Sequence, residues 1–377
     1  MNKQILLSSP TMHAEEMQFI QEAFDRNWVA PLGFNCDLFE EEMCAYLAAQ
    51  GYSAPLQGLC LSSGTAALHL AVKLAGVKPG DVVLCSDLTF AASANAVTYT
   101  GAVPVFVDSE CHTWNMDPAA LEKAFEKYPD AKAVLLVHLY GIPAKIDDIL
   151  AICQKHGAVL IEDAAEALGA TYRNQPCGTF GTYNIFSFNG NKIITTSGGG
   201  MLMTKDPTAR QKALFWATQA REPAPWYQHE EIGYNYRLSN LLAGIGRGQL
   251  MHLEEHRQKK EYIYHRYAAG LAGLPLTMNP YEPDSVPNFW LSCILLDDNC
   301  DVTPTQIISA LSEQNIEARH IWKPMHQQPV FAAHDFFTAG GHSNGAEIFR
   351  RGLCLPSDIK MTDEDIDRII AVVRSCF

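Results

Sequence analysis

The chain has 377 residues, of which 47% are hydrophobic and 19% charged, a globular composition with room for two domains and no sign of disorder. Its 28 basic and 42 acidic residues give a formal net charge of −14, which argues against nucleic acid or an anionic membrane surface as partner, so an anionic substrate must be met by local donors. No apolar run approaches the roughly 20 residues that span a bilayer, and the first ten residues hold too short an apolar core for a signal peptide. The 11 cysteines are scattered without a Cys-x-x-Cys pair, as reduced thiols are, so the cytoplasm is the expected compartment and no metal ligand set is assigned.

Apolar residues recur at helical spacing over 13–26 (Met17, Ile20, Phe24), residues 27–33 break the pattern, and a second helix is predicted over 37–49. Residues 58–61 read as a buried strand running into Ser62-Ser63-Gly64-Thr65-Ala66-Ala67-Leu68. A strand, a turn of small residues and a helix opening at Gly64 and Thr65 make an anion-binding arrangement, because the first helical turn offers unpaired N–H groups and a positive dipole; the same pattern also serves as a plain helix cap.

Three strand–helix units follow, with strands at 82–85, 103–107 and 133–138 and helices at 91–100, 117–127 and 147–156. The next strand, 159–161, ends in Glu162-Asp163-Ala164-Ala165-Glu166. This alternation predicts an α/β fold with a mainly parallel sheet whose ligands sit beyond the C-terminal ends of the strands. Asp163 lies at such an end, where a carboxylate can pair with a protonated ring nitrogen or cap a helix. Phe90 also follows a strand and either stacks on a flat ligand or packs in the core.

The stretch Ser187-Phe188-Asn189-Gly190-Asn191-Lys192-Ile193-Ile194-Thr195-Thr196-Ser197-Gly198-Gly199-Gly200 sets one lysine between an aromatic run and a glycine-rich segment. A neutral lysine amine is a nucleophile that forms Schiff bases with carbonyls, which makes Lys192 the candidate reactive centre. The Ser187 hydroxyl could hold a phosphate; the competing reading is a surface lysine beside a tight turn.

A strand at 200–204, a helix at 208–219 and an aromatic loop at 221–227 precede Gly233-Tyr234-Asn235-Tyr236-Arg237-Leu238-Ser239-Asn240, a polar cluster opening an apolar helix at 241–250 and pointing to a ligand or a subunit contact. From Met251 a charged helix connects to a smaller α+β segment with strands at 290–296 and 317–322 and helices at 305–314 and 363–375. The domains are therefore placed at 1–250 and 251–377. Within the second, Arg319-His320-Ile321-Trp322-Lys323-Pro324-Met325-His326 gathers basic and aromatic groups able to meet a pyrophosphate, or forms a solvated strand end.

Together, Ser-Ser-Gly-Thr-Ala-Ala-Leu at 62–68, Glu-Asp-Ala-Ala-Glu at 162–166, the spacing of Ser187 and Lys192, and Gly-Tyr-Asn-Tyr-Arg-Leu-Ser-Asn at 233–240 make the chain resemble the DegT/DnrJ nucleotide-sugar aminotransferases, fold-type I enzymes that use pyridoxal phosphate. The resemblance implies Lys192 bonded to the cofactor aldehyde, Asp163 on the pyridine nitrogen, Phe90 over the ring, and Gly64, Thr65 and Ser187 on the phosphate. It implies Asn235 reaching the partner subunit's cofactor phosphate in a homodimer, and Arg237 near the substrate; the basic cluster at 319–326 adds Arg319 and His326 as expected substrate contacts. Where relatives carry His or Gln beside the phenolic oxygen, this chain has Glu166, which must be protonated, turned away or bridged by water. The run from Ser187 to Met201, with Asn-Trp-Val-Ala-Pro-Leu-Gly at 27–33, looks like the subgroup that makes UDP-linked 4-amino-sugars of the bacillosamine type from L-glutamate. Three rivals stay open. Sugar dehydratases of the same family carry histidine where Lys192 stands, a binding or regulatory protein would leave Lys192, Asp163 and Ser187 without a purpose, and a nicotinamide oxidoreductase lacks its Gly-x-Gly-x-x-Gly here.

Overall fold

Strands that read as near-continuous apolar runs bury both faces of a sheet, and the strands Val82–Ser86, Ala133–Val137 and Val159–Asp163, polar at most in their last residues, behave this way. Leu84, Val134, Leu136 and Leu160 enter one core while Val83, Cys85, Leu135 and Ile161 enter the core on the opposite face. The computed structural model, which describes residues 3–377, sets these three within an eight-stranded sheet. Across it the order is Gln57–Leu61, Gly200–Thr204, Tyr183–Ser187, Val159–Asp163, Ala133–Val137, Val82–Ser86, Val103–Val107 and Phe336–Phe337. Gly200–Thr204 runs antiparallel to both neighbours, and the remaining pairs are parallel.

That one reversed strand brings the site together. Gly200 lies opposite Leu61 on one side and Ser187 on the other, so the turn after the first strand and the loop carrying Lys192 leave the sheet at the same edge. A Cβ on Gly200 would lie 2.4 Å from the Gly64 backbone nitrogen, so only glycine lets the two segments approach this closely.

The C-terminal unit is a four-stranded antiparallel sheet in the order Leu276–Met278, Ser292–Leu296, Gly352–Leu355, Arg319–His320. The helices Leu253–Gly270, Pro304–Glu313 and Asp363–Arg374 close its core through Ile263, Tyr267, Ile307, Leu311, Ile366 and Ile369. The architecture is thus α/β, a large mainly parallel sheet joined to a smaller α+β unit.

The chain crosses the division expected at residue 250 in both directions. Residues 5–9 pack on the C-terminal unit, with the Ile5 N–H donating to the Asn315 carbonyl at 3.0 Å and the Leu7 N–H to Glu317 Oε2 at 2.9 Å. Conversely, Phe336–Phe337 returns to the large sheet as its edge strand. The helix Asn344–Arg351 and the strand Gly352–Leu355 were not expected from sequence pattern, nor was Tyr183–Ser187 as a strand. Asn184 hides the last, since it interrupts an apolar run yet sits fully buried, donating through Nδ2 to the Gly181 and Met203 carbonyls.

Candidate active site

A cavity of about 620 Å³ opens at the C-terminal end of the parallel strands, between the two units. Lys192 projects into it from a loop fastened by the buried side chains of Phe188, Ile193 and Ile194 and by main-chain bonds from Phe188 to Gly199 and from Thr196 to Phe188, each 2.9 Å. Its Nζ stands 3.5 Å from Glu166 Oε1 and 4.1 Å from the centre of the Trp290 ring. Trp290 is held in turn by its indole N–H, which donates to the Asn191 carbonyl at 2.7 Å.

Asp163 ends its strand inside this cavity. Ser93 Oγ donates to its Oδ2 at 2.8 Å and the Ala165 N–H to its Oδ1 at 3.2 Å. Burial raises its pKa, and these two donors, with the Lys192 charge, oppose the rise. A cationic ring N–H brought to this carboxylate would relieve its desolvation. Glu166 is buried as well, accepting the Tyr140 N–H at 2.7 Å through Oε2, and burial pushes its pKa up to about 7 against the pull of Lys192. It faces the cavity rather than turning away, so of the three ways to accommodate a second anion, a retained proton and a water bridge remain.

Opposite these groups the helix Gly64–Leu74 points its N-terminus at the cavity, capped by Ser63 Oγ, which accepts the Ala66 N–H at 3.0 Å. Ser63, Gly64, Thr65 and Ser187 line the wall, and a Cβ on Gly64 would sit 3.0 Å from that of Ser187. First-turn N–H groups beside two hydroxyls form an anion cradle. Phe90 caps the helix Ala91–Thr98 and leaves 59% of its surface exposed into the cavity mouth, its ring 5.5 Å from that of Trp322. Arg319 also lines the mouth, donating to Glu317 Oε1.

Three expected residues lie outside this cavity. Arg237, expected near the substrate, is buried, its Nη1 donating to Glu40 Oε1 at 3.0 Å and to the Cys60 carbonyl at 3.1 Å. His326, also expected as a substrate contact, engages buried Asp87 through both its main-chain N–H and Nδ1, at 2.8 and 2.6 Å, and its ring stacks on Phe336. Asn235 is exposed on a bridge to Thr218, away from this cavity. Sequence reading missed Ser93, Trp290, Leu7 and Ser8, all of which line the cavity. Ser93 had a detectable signal, lying one helical turn beyond Phe90; Trp290 had none, because it reaches Lys192 from a distant segment.

The set offers an amine for an aldehyde, a buried carboxylate for a ring nitrogen, an anion cradle and an exposed aromatic face, and it therefore fits pyridoxal phosphate. Comparison with known proteins points the same way. The profile of the DegT/DnrJ/EryC1/StrS aminotransferase family matches residues 10–374. EpsN of Bacillus subtilis, whose name describes a pyridoxal phosphate-dependent aminotransferase, is 47% identical over 383 aligned positions covering 100% of this chain and 97% of EpsN. The GDP-perosamine synthase of Caulobacter vibrioides is 36% identical over 373 positions, covering 98% and 97% of the two chains. The crystal structure of the aminotransferase TlmJ from Streptoalloteichus hindustanus superposes with a TM-score of 0.89 at 27% identity, covering 98% of each chain. This chain belongs to the DegT/DnrJ/EryC1/StrS aminotransferase family and is a pyridoxal phosphate-dependent sugar aminotransferase.

Proposed function

We propose that the enzyme moves an amino group from L-glutamate to C4 of a UDP-linked 4-keto-6-deoxy-N-acetylhexosamine, giving a UDP-4-amino-sugar for glycan or glycoprotein synthesis. The observation that carries this reading is the joint placement of Lys192, Asp163 and Glu166 at the closed end of a cavity whose mouth holds Phe90, Trp322 and Arg319. The closed end suits amine chemistry, and the mouth suits the aromatic base and diphosphate of a nucleotide.

In this reading Lys192 holds the cofactor through its aldehyde, Gly64, Thr65 and Ser187 hold the phosphate, and Phe90, where the mouth meets the closed end, covers the cofactor ring on one side and packs on Trp322 on the other. Pyridoxal phosphate supplies the electron sink that lets a bond at the amino-bearing carbon break. Asp163 keeps the ring nitrogen protonated, with Ser93 fixing the carboxylate plane. The freed Lys192 amine accepts a proton and returns it, and Glu166, 3.5 Å away, takes up the charge change as that proton moves. Two half-reactions through one cavity give ping-pong kinetics.

The exposed Trp226, Tyr227 and Ile232 flank the segment carrying Asn235, a face that suits a second copy of the chain with Asn235 completing the partner's phosphate site. Mixing Lys192→Ala with Asn235→Ala subunits then restores up to about a quarter of native activity through random reassortment. Recovery no greater than the sum of the two variants, once subunit exchange is verified, places Asn235 outside the partner's site. The 11 thiols, none of them paired in a disulfide, suit a reducing cytoplasm.

The likeness to a GDP-perosamine synthase favours a second reading in which the sugar is GDP-linked. Incubating the pure enzyme with 15N-glutamate and either UDP- or GDP-linked 4-keto-sugars, with products read by mass spectrometry, separates the two. Label on the UDP-sugar alone supports the first reading, and label on the GDP-sugar alone replaces it.

A further inference from the structure

The short turn Leu139–Gly141 follows the strand Ala133–Val137 and holds Tyr140 at φ 54°, ψ 22°. Left-handed backbone is disfavoured for a bulky side chain and persists only where the surroundings enforce it. Here they do: a Cβ on Gly141 would collide with Asn288 Oδ1 at 1.7 Å, and the Leu139 N–H is fixed on Asn115 Oδ1 at 2.8 Å.

The turned backbone gives Tyr140 contacts on two sides of the cavity. Its N–H donates to Glu166 Oε2 at 2.7 Å, while its hydroxyl oxygen accepts the main-chain N–H of Trp322 at 3.0 Å. Its buried ring lies 5.1 Å from that of Trp322 and 6.2 Å from that of Trp290. Trp290 is the ring beneath Lys192, and Trp322 is the ring packed on Phe90 at the mouth. One residue of the large domain, through its main-chain N–H and its side chain, thus joins the carboxyl beside the reactive lysine to the aromatic wall supplied by the C-terminal unit.

We infer that Tyr140 is a positioning residue whose hydroxyl fixes Trp322 against Phe90 and so sets nucleotide affinity, while its main-chain N–H separately holds Glu166. The inference rests on the reading of the mouth as a nucleotide site. It divides Tyr140 into two functions that one substitution can separate, because Tyr140→Phe keeps the ring and the N–H and removes only the acceptor for Trp322.

The test uses the cofactor-loaded enzyme with UDP and GDP as probes, their dissociation constants measured by calorimetry. Losing one hydrogen bond to a wall of the site should raise the dissociation constant of the nucleotide that binds about five- to tenfold. KM for the keto-sugar should rise in parallel, while the visible absorption of the bound cofactor and the rate of the glutamate half-reaction stay unchanged. In a Trp322→Ala background the same Tyr140→Phe change should have little further effect, since the ring it positions is gone. Native nucleotide affinity in Tyr140→Phe overturns the inference, as does an equal loss on the glutamate half-reaction or an additive loss in the double variant. A native enzyme that binds neither UDP nor GDP overturns the nucleotide reading itself and this inference with it, an outcome distinct from the other three.

Discussion

The closed end and the mouth of the cavity are built differently. At the closed end, Asp163 ends a buried strand, Lys192 sits on a loop pinned by Phe188, Ile193 and Ile194, and each carboxylate takes a main-chain N–H. The mouth is assembled from separate segments: Phe90 after one strand, Trp322 and Arg319 on the C-terminal unit, Leu7 and Ser8 on the N-terminal segment. The groups proposed to react are thus fixed by the sheet, while those proposed to recognise substrate depend on how the second unit and the N-terminal segment lie against it. Substitutions at the closed end should act on rate, and those at the mouth on affinity.

The largest effect belongs to Lys192→Ala, which should lower kcat by at least about 10⁴-fold, the scale seen when a nucleophile is deleted. Borohydride should fix the cofactor on Lys192 in the native enzyme, and peptide mapping of the adduct to another residue would break the assignment. Asp163→Asn should retain cofactor but transaminate roughly 100-fold more slowly, assuming that loss of the carboxylate shifts the ring nitrogen by about two pKa units. A near-native rate would make Asp163 a helix cap and nothing more.

The closed end was also the more legible half in the sequence. Asp163, Ser187 and Lys192 sit at strand ends or in glycine-rich turns, where local pattern and position in the sheet coincide. The parallel sheet followed from strand–helix alternation, but its reversed strand did not, because Gly200–Thr204 is as apolar and buried as the parallel strands elsewhere in the sheet. The mouth was harder to read. Leu7 and Ser8 reach the cavity only because the N-terminal segment packs on the C-terminal unit. The acid partners of Arg237 and His326 were hidden for a different reason: a basic residue beside a polar motif says nothing of whether a buried acid, Glu40 or Asp87, already pairs with it.

Glu166 tests the electrostatics of the closed end without relying on activity. Its carboxyl pKa is raised by burial from about 4.5 to about 7. The folded state therefore binds a proton that the unfolded state releases between those values, and this group's contribution to stability falls as pH rises through that window. Below about pH 4.5 the penalty is absent, and above about pH 7 it is complete, on the order of 3 kcal/mol. Glu166→Gln removes it, so the variant, freed of cofactor, should gain stability over the native chain from about pH 5 to about pH 7 and level off above that. Denaturant unfolding at several pH values measures this, and a difference independent of pH would mean that the carboxyl stays ionised throughout.

Arg319 should show the smallest effect and sharpens the contrast most. Its guanidinium is 69% exposed and already engages Glu317 Oε1, so a substrate diphosphate must share it with that carboxylate in high-dielectric surroundings. Glu317 is itself committed, accepting the Leu7 N–H at 2.9 Å, so it cannot swing aside without loosening the N-terminal segment. Arg319→Ala should therefore raise KM for the keto-sugar only about five- to tenfold, leaving kcat within about twofold and KM for glutamate unchanged. Because the contact is exposed, the difference between native and variant KM should shrink as ionic strength rises past the point where the Debye length falls below about 8 Å. Arg319→Lys should recover part of the affinity, since it restores the charge without the planar fork. A variant that instead loses kcat with KM intact would place Arg319 among the reacting groups and erase the division between the closed end and the mouth.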